Sequence, residues 1–227
     1  MDKQLERIRK AYDLTVEQYN KGIDPFEEVP EEIKRSAGFK SIIADKGKLN
    51  SSAPEIKEYL KPKPGMRFLD AGCNANLANY RLDKWRCTYY GVDISPVLIK
   101  TMKDFVIRKG ISIGGLWYTD IANLPFDNNF FDIAAVIGVL EYCTLDYTAR
   151  ALTELHRVLK PRAKIVIDIP NLEHPHVNTM FKLEEYFRRS NIPKPRTVFE
   201  AILTPLFAIE KTDDTRIMLK YFVRTSK

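Results

Sequence analysis

The chain has 227 residues, 44% of them hydrophobic and 29% charged, with a formal net charge of +6. That length fits one domain, or one with a modest appendage, and the composition excludes a disordered chain. No apolar run approaches the roughly 18 residues that span a bilayer. The charged start MDKQLERIRK has no apolar segment behind it, so neither a membrane anchor nor a signal peptide is expected. Three widely spaced cysteines, Cys73, Cys87 and Cys143, argue against a disulfide scaffold and for a reducing compartment, the cytoplasm. Lys and Arg are spread along the chain, with the densest clusters beside turns. This reads as a solvated basic surface ahead of a nucleic-acid footprint.

The first 60 residues are charged and helix-like, and the sequence predicts a helical cap and linker over 1–60. Leu5, Ile8, Tyr12, Val16 and Tyr19 recur at three- and four-residue steps, an amphipathic stripe. DPFEEVPEEIKR reads as a linker with a short helix, and SSAPEIKEYL as a helix start capped near Ser52 with Pro54 in its first turn. From Arg67 short apolar runs alternate with helical patterns: MRFLDA, CTYYGVDI, SIGGLWYTDI, FDIAAVIGVLEY and AKIVIDIPN are the runs. Ser95 and Pro96 cap one helix, while Leu152, Leu155, Val158 and Leu159 line another that Pro161 stops. Such alternation predicts an α/β fold, a mainly parallel sheet with helices on both faces. A helical insert is expected at about 175–205 inside a second domain over 61–227, then two strands around TDD as an edge hairpin.

Ligands of an open parallel sheet bind beyond the C-terminal ends of its strands. Those ends carry Asp70, Asp93, Asp120, Glu141 and Asp168, with Asn171 just beyond. One such acid is ordinarily a cap or turn former; five in succession point to a site. Asp93, 23 residues after Asp70, is placed to accept hydrogen bonds from a ribose diol. The glycines needed for close approach of a pyrophosphate are missing, which leans towards a simpler nucleoside cofactor.

The segments LDAGCNAN, YYGVDIS, YTDIANLPFDNNFFDIAAVIGVLEY and ALTELHRVLKPRAKIVIDIPN resemble the successive motifs of class I S-adenosylmethionine-dependent methyltransferases, especially the branch acting on small molecules. The resemblance covers about Lys61 to Asn171. It implies a Rossmann-like seven-stranded sheet with a reversed terminal strand, and S-adenosyl-L-methionine as cofactor. Asp70, Gly72 and the Cys73–Asn76 backbone, including Asn74, would wrap its methionine part. Asp93 would take both ribose hydroxyls with Ile94 against the adenine, and Asp120 would face the adenine amine beside Ile121. Gly138 and Val139 would line the sulfonium side, and the first helix would close the pocket with a tyrosine, Tyr12 or Tyr19. Relatives commonly carry glycine where Asn74 and Asn76 stand. Asparagine tolerates a left-handed backbone but fills space that glycine leaves open.

Methyl transfer from a sulfonium needs an aligned nucleophile and little water, and a base only where the acceptor must lose a proton. Catalytic candidates are therefore Glu141, directly after the fourth strand, and the loop histidines His174 and His176. Ligand spacing for a metal is absent. The expected partner is a small-molecule methyl acceptor, in a monomer or homodimer. RNA or protein methylation, and a non-catalytic binding or partner protein of the same fold, stay open as alternatives.

Overall fold

The computed structural model describes residues 3–48 and 54–227. Four helices come first: α1 (Lys3–Asn20), α2 (Glu31–Lys34), α3 (Ala37–Lys48) and α4 (Pro54–Leu60). In α1 the apolar stripe buries Leu5, Ile8 and Ala11, whereas Tyr19 at its far end is 50% exposed. The expected cap at Ser52 lies outside the described residues.

The strands are β1 (Arg67–Ala71), β2 (Thr88–Asp93), β3 (Gly115–Tyr118), β4 (Phe131–Val136), β5 (Leu159–Pro170), β6 (Phe207–Asp213) and β7 (Met218–Thr225). Between them run α5 (Asn76–Asn79), α6 (Pro96–Lys109), α7 (Leu145–Val158), α8 (Val177–Tyr186) and α9 (Arg196–Leu203). Together the strands form one seven-stranded sheet in the order β3-β2-β1-β4-β5-β7-β6. The pairs among β1 to β5 are parallel, and β7 runs antiparallel to both β5 and β6. This is the Rossmann-like sheet with a reversed terminal strand that the sequence predicts.

Parallel strands covered on both faces carry apolar residues at consecutive positions, and each side chain goes to the opposite side from its neighbour. Leu69, Ala134, Ile165 and Ile167 pack with Leu152 and Leu155 of α7 and Phe199 of α9. Phe68, Ile133, Ala135 and Val166 pack on the other face with Ile56 and Leu60 of α4 and Leu98, Ile99 and Met102 of α6. Ser95 caps α6 as its sequence implies, its Oγ accepting the Leu98 N–H at 3.0 Å.

One boundary differs from expectation. Helix α7 ends at Val158, and Leu159 is already extended, two residues before Pro161. A proline disfavours the helical conformation of the residue preceding it, so the chain leaves the helix early. Arg162 then takes φ 60°, the conformation that glycine ordinarily supplies in such a turn. Among the described residues, no helix is long and apolar enough to cross a membrane. Leu155 is fully enclosed where α7 meets the sheet. Leu155→Ala should cost about 2–5 kcal/mol of stability through the cavity it leaves, read from the midpoint of urea unfolding.

Candidate functional site

A cavity of about 700 Å³ opens beyond the C-terminal ends of β1, β2, β4 and β5, the size and place of a small-ligand site in an open α/β sheet. Asp70, Gly72, Asn74, Asn76, Asp93, Ile94, Ile121, Gly138, Val139 and Glu141 all line it. So do Asp168, already marked by the sequence as a strand-end acid, Tyr142, and three residues that sequence reasoning did not place in the binding site, Tyr147, Glu184 and Arg189.

The turn after β1 explains how asparagines serve where glycines are common. Gly72 has φ 76°, and a Cβ there would stand 2.2 Å from Val139 Cγ2, so only glycine fits. Asn74 follows in a left-handed conformation, φ 37°, and its side chain accepts the Ala75 N–H at 2.8 Å. Its own N–H donates to Asp93 Oδ2 at 3.0 Å. Asn76 starts α5, and its Nδ2 donates to Asp70 Oδ1 at 3.3 Å. The other oxygen of Asp70 accepts the buried Tyr89 hydroxyl at 2.9 Å. The two asparagine side chains therefore brace the turn and the acid beneath it. Burial pushes the Asp70 carboxyl up to about 7, against the pull of Tyr89 and Asn76 and aided by the charge of Asp93.

Asp93 ends β2 with its Oδ1 accepting the Ser95 N–H at 2.9 Å and its Oδ2 the Asn74 N–H. Each carboxylate oxygen offers about two lone-pair sites, so acceptor capacity remains for a diol. Desolvation by the cavity walls lifts this acid to about 6, opposed by those main-chain donors.

On the other side of the cavity, Glu141 sits in the 3₁₀ turn Leu140–Tyr142 after β4, and Asp168 comes from β5. Asp168 Oδ1 accepts the Gly138 N–H at 2.8 Å. Glu141 is buried, and among the described residues its Oε2 has no hydrogen-bond partner. Burial and the charge of Asp168 push it well above the usual carboxylate range. Nearby, Tyr12 of α1 meets Tyr142 hydroxyl to hydroxyl at 3.0 Å, and Tyr142 donates to Glu184 of α8 at 2.9 Å. Arg189 pairs with Glu184 at 2.8 Å and lies 4.7 Å from the centre of the Tyr12 ring.

The remaining candidates lie elsewhere. Cys73 is buried beneath the turn, its N–H donated to Val92 O at 2.8 Å. Asp120 stands behind the cavity wall, its Oδ1 accepting both the Tyr147 hydroxyl and the Ala122 N–H. Tyr19 donates to Asp24 at 3.3 Å on the surface, away from the cavity, and Tyr12 is the tyrosine of α1 that reaches it. His174 and His176 are not among the lining residues. Asn171 explains their position: its Nδ2 donates to Asp214 O at 2.8 Å, which draws the loop after β5 along the β6–β7 connection. Among the described residues, no group of three His, Cys, Asp or Glu is arranged to hold a metal ion.

Asp70 gives a pH test. With its carboxyl raised by burial, the folded protein holds that proton more tightly than the unfolded chain. The stability it contributes is fully present below the ordinary value of 3.8 and is lost as pH rises to about 7. In urea unfolding from about pH 4 to about pH 8, Asp70→Asn should show a shallower decline of stability than the unmodified protein.

Comparisons with known proteins agree with this geometry. A family described as "Methyltransferase domain" matches residues 69–167. A tRNA (carboxymethyluridine(34)-5-O)-methyltransferase of Arabidopsis thaliana is 29% identical over 180 residues, covering 74% of this chain and 41% of that protein. A 2-phytyl-1,4-naphtoquinone methyltransferase of Nostoc punctiforme is 38% identical over 96 residues, 41% of each chain. The chain thus spans about two fifths of the length of these curated relatives. Among solved structures, the PH0226 protein of Pyrococcus horikoshii OT3 superposes with a TM-score of 0.65 at 18% identity, over 85% of this chain and 93% of that one. That likeness concerns the fold alone. Strand order, braced first turn and acid-lined cavity agree with the family match: residues 69–167 carry a methyltransferase domain.

Proposed function

We infer that the protein transfers a methyl group from S-adenosyl-L-methionine to a small-molecule acceptor. The observation that carries this reading is the division of one cavity into two polar ends. One end, at Asp93 and the turn from Gly72 to Asn76, offers hydrogen-bond acceptors and a close main-chain approach suited to a nucleoside. The other, at Gly138, Glu141, Tyr142 and Glu184, offers ionisable groups suited to an acceptor that carries a proton. When bound, the cofactor supplies a methyl group on positively charged sulfur, activated for displacement.

The residues present fit it. Asp93 keeps acceptor capacity for the ribose hydroxyls, and Ile94 and Ile121 offer apolar walls to the base. Asp70, with both oxygens already held, sets the turn that would follow the methionine part. Leu5, Ile8 and Tyr12 of α1, together with Met180 and Glu184 of α8, wall the acceptor side and exclude water from it. We therefore assign residues 1–60 the role of a cap over a catalytic domain spanning 61–227, with the insert at about 175–205 forming part of the acceptor wall. The cytoplasm is the proposed location, on the ground that none of the three cysteines forms a disulfide.

Relatives with quinone-related names support a small aromatic or amphiphilic acceptor. A second reading, RNA methylation, is favoured by one observation: the relative aligned over 74% of this chain bears a tRNA methyltransferase name. Titration calorimetry with S-adenosyl-L-methionine tests the shared part of both readings, and absence of binding removes them together. Asp93→Ala should weaken binding by about 100-fold or more, as expected when two hydrogen bonds to a charged group, each about 1.5–3 kcal/mol, are lost. Methyl incorporation from isotope-labelled cofactor into a small-metabolite fraction is the expected outcome, and incorporation confined to purified RNA would overturn the small-molecule assignment.

A further inference from the structure

The two strands at the middle of the sheet, β4 and β5, bring two carboxyl groups to one side of the cavity. Glu141 is 6% exposed and Asp168 2% exposed, and both line the cavity wall. Their surroundings are unequal. Asp168 is held by the Gly138 N–H, and Lys220 of β7, whose Nζ is engaged with Glu55 at 2.8 Å, adds some positive field. Glu141 has a buried oxygen with no partner among the described residues.

The charged and titratable groups around Glu141 come from every neighbouring element. Glu184 of α8 adds negative charge, as does Asp168 of β5. Lys194, before α9, counters them, but its Nζ is spent on Leu140 O at 2.8 Å and Ile192 O at 3.1 Å. Arg189 is paired with Glu184. Tyr12 of α1 and Tyr142 contribute neutral hydroxyls, already joined to each other, and Cys143 gives its thiol to Val139 O at 3.6 Å. No cation is directed at Glu141 among the groups described. A buried carboxylate with one oxygen lacking a donor, in the field of two other acids, is disfavoured against its neutral acid, although the Glu141 main-chain N–H and the Lys194 ammonium partly offset this. A cation entering the cavity reverses that preference, because an opposite charge close by favours the ionised form.

We propose that Glu141, in the field of Asp168, is a proton switch tied to the charge of the bound cofactor: a neutral acid in the cofactor-free protein, an anion opposite the sulfonium cation, and a neutral acid again after methyl transfer. The proposal rests on the methyltransferase reading of the site. On cofactor binding, Glu141 gives its proton to solvent. On transfer, Glu141 takes the proton that the acceptor's O–H or N–H loses as the acceptor's lone pair bonds to the methyl carbon. The electron pair of the broken carbon–sulfur bond stays on sulfur, which becomes a neutral thioether. The summed charge of Glu141 and the sulfur is zero before the step and zero after it.

The test compares two ligands that differ at the sulfur. S-adenosyl-L-methionine is a sulfonium, and S-adenosyl-L-homocysteine is a neutral thioether with the same nucleoside and amino-acid parts. Any proton exchange at Asp70 or Asp93 is common to both and cancels in the difference. Calorimetric titrations near pH 7 in two buffers of different ionisation enthalpy give the protons exchanged on binding. The sulfonium should release more, by about one proton at most, and its affinity advantage over the thioether should grow with pH. In Glu141→Gln the excess release should vanish and the affinity ratio become flat with pH, while thioether binding persists and shows that the variant is folded. Asp168→Asn, which removes the neighbouring charge, should shrink the excess. Binding of both ligands with equal proton exchange in the unmodified protein, or an excess that survives Glu141→Gln, would overturn the proposal. Binding of neither ligand would instead overturn the methyltransferase reading beneath it.

Discussion

The Asp70 carboxyl group is buried at the end of a central parallel strand, and much of the binding end of the molecule is arranged around satisfying it. A buried acid needs donors from protein where water is excluded. Tyr89 supplies one from the neighbouring strand and Asn76 supplies the other from the first residue of α5. Those two bonds tie β1, β2 and the intervening turn into one unit, and Asn74 extends it by donating its N–H to Asp93. The position of Asp93, which faces the cavity, thus depends on the same turn that satisfies Asp70. A polar network of this kind holds its geometry only when each member is partnered, because an unpartnered member in low dielectric is costly.

The acceptor side follows the opposite rule. Its central acid, Glu141, is left incompletely satisfied, and the groups around it pair among themselves. One end of the cavity is therefore fixed by the hydrogen bonds within its turn, and the other holds an acid whose bonding is incomplete. A scaffold that positions a nucleoside rigidly while leaving a proton free to come and go can use both properties in one reaction.

The architecture was legible in the sequence because burial of a parallel sheet on both faces leaves short, continuous apolar runs, and the alternating helices leave stripes. Ser95–Pro96 and the burial of Leu152, Leu155 and Val158 follow from local rules alone. The acids at strand ends were legible for the same reason: strand ends are found wherever strands are. The neighbourhood of Asp168 and the pair Glu184–Arg189 were harder. Asp168 reads in sequence as one more polar residue closing an apolar run, and nothing local tells that β5 brings it beside Glu141. Glu184 and Arg189 are five residues apart in a helical insert, and their role depends on where α8 docks, a tertiary fact. The side chains of Asn74 and Asn76 had a use that a comparison with glycine hides. Glycine can follow the same backbone, but it cannot donate to Asp70 or hold the Ala75 N–H. For His174 and His176, closeness to a strand end in sequence does not place them in the cavity lining, and Asn171 anchors their loop to the hairpin.

Helix α1 is bound to both ends of the cavity at once. Asp13 accepts the hydroxyl of Ser95, which caps α6 two residues after Asp93, while one residue earlier Tyr12 meets Tyr142 beside Glu141. These two adjacent side chains act as a yoke across the two half-sites. Lifting the helix at this point breaks both bonds together, so α1 cannot open over one end of the cavity without loosening its hold on the other. Under the proposed methyl transfer, exchange of spent cofactor and departure of product become, for any route that passes beneath this helix, a single mechanical event.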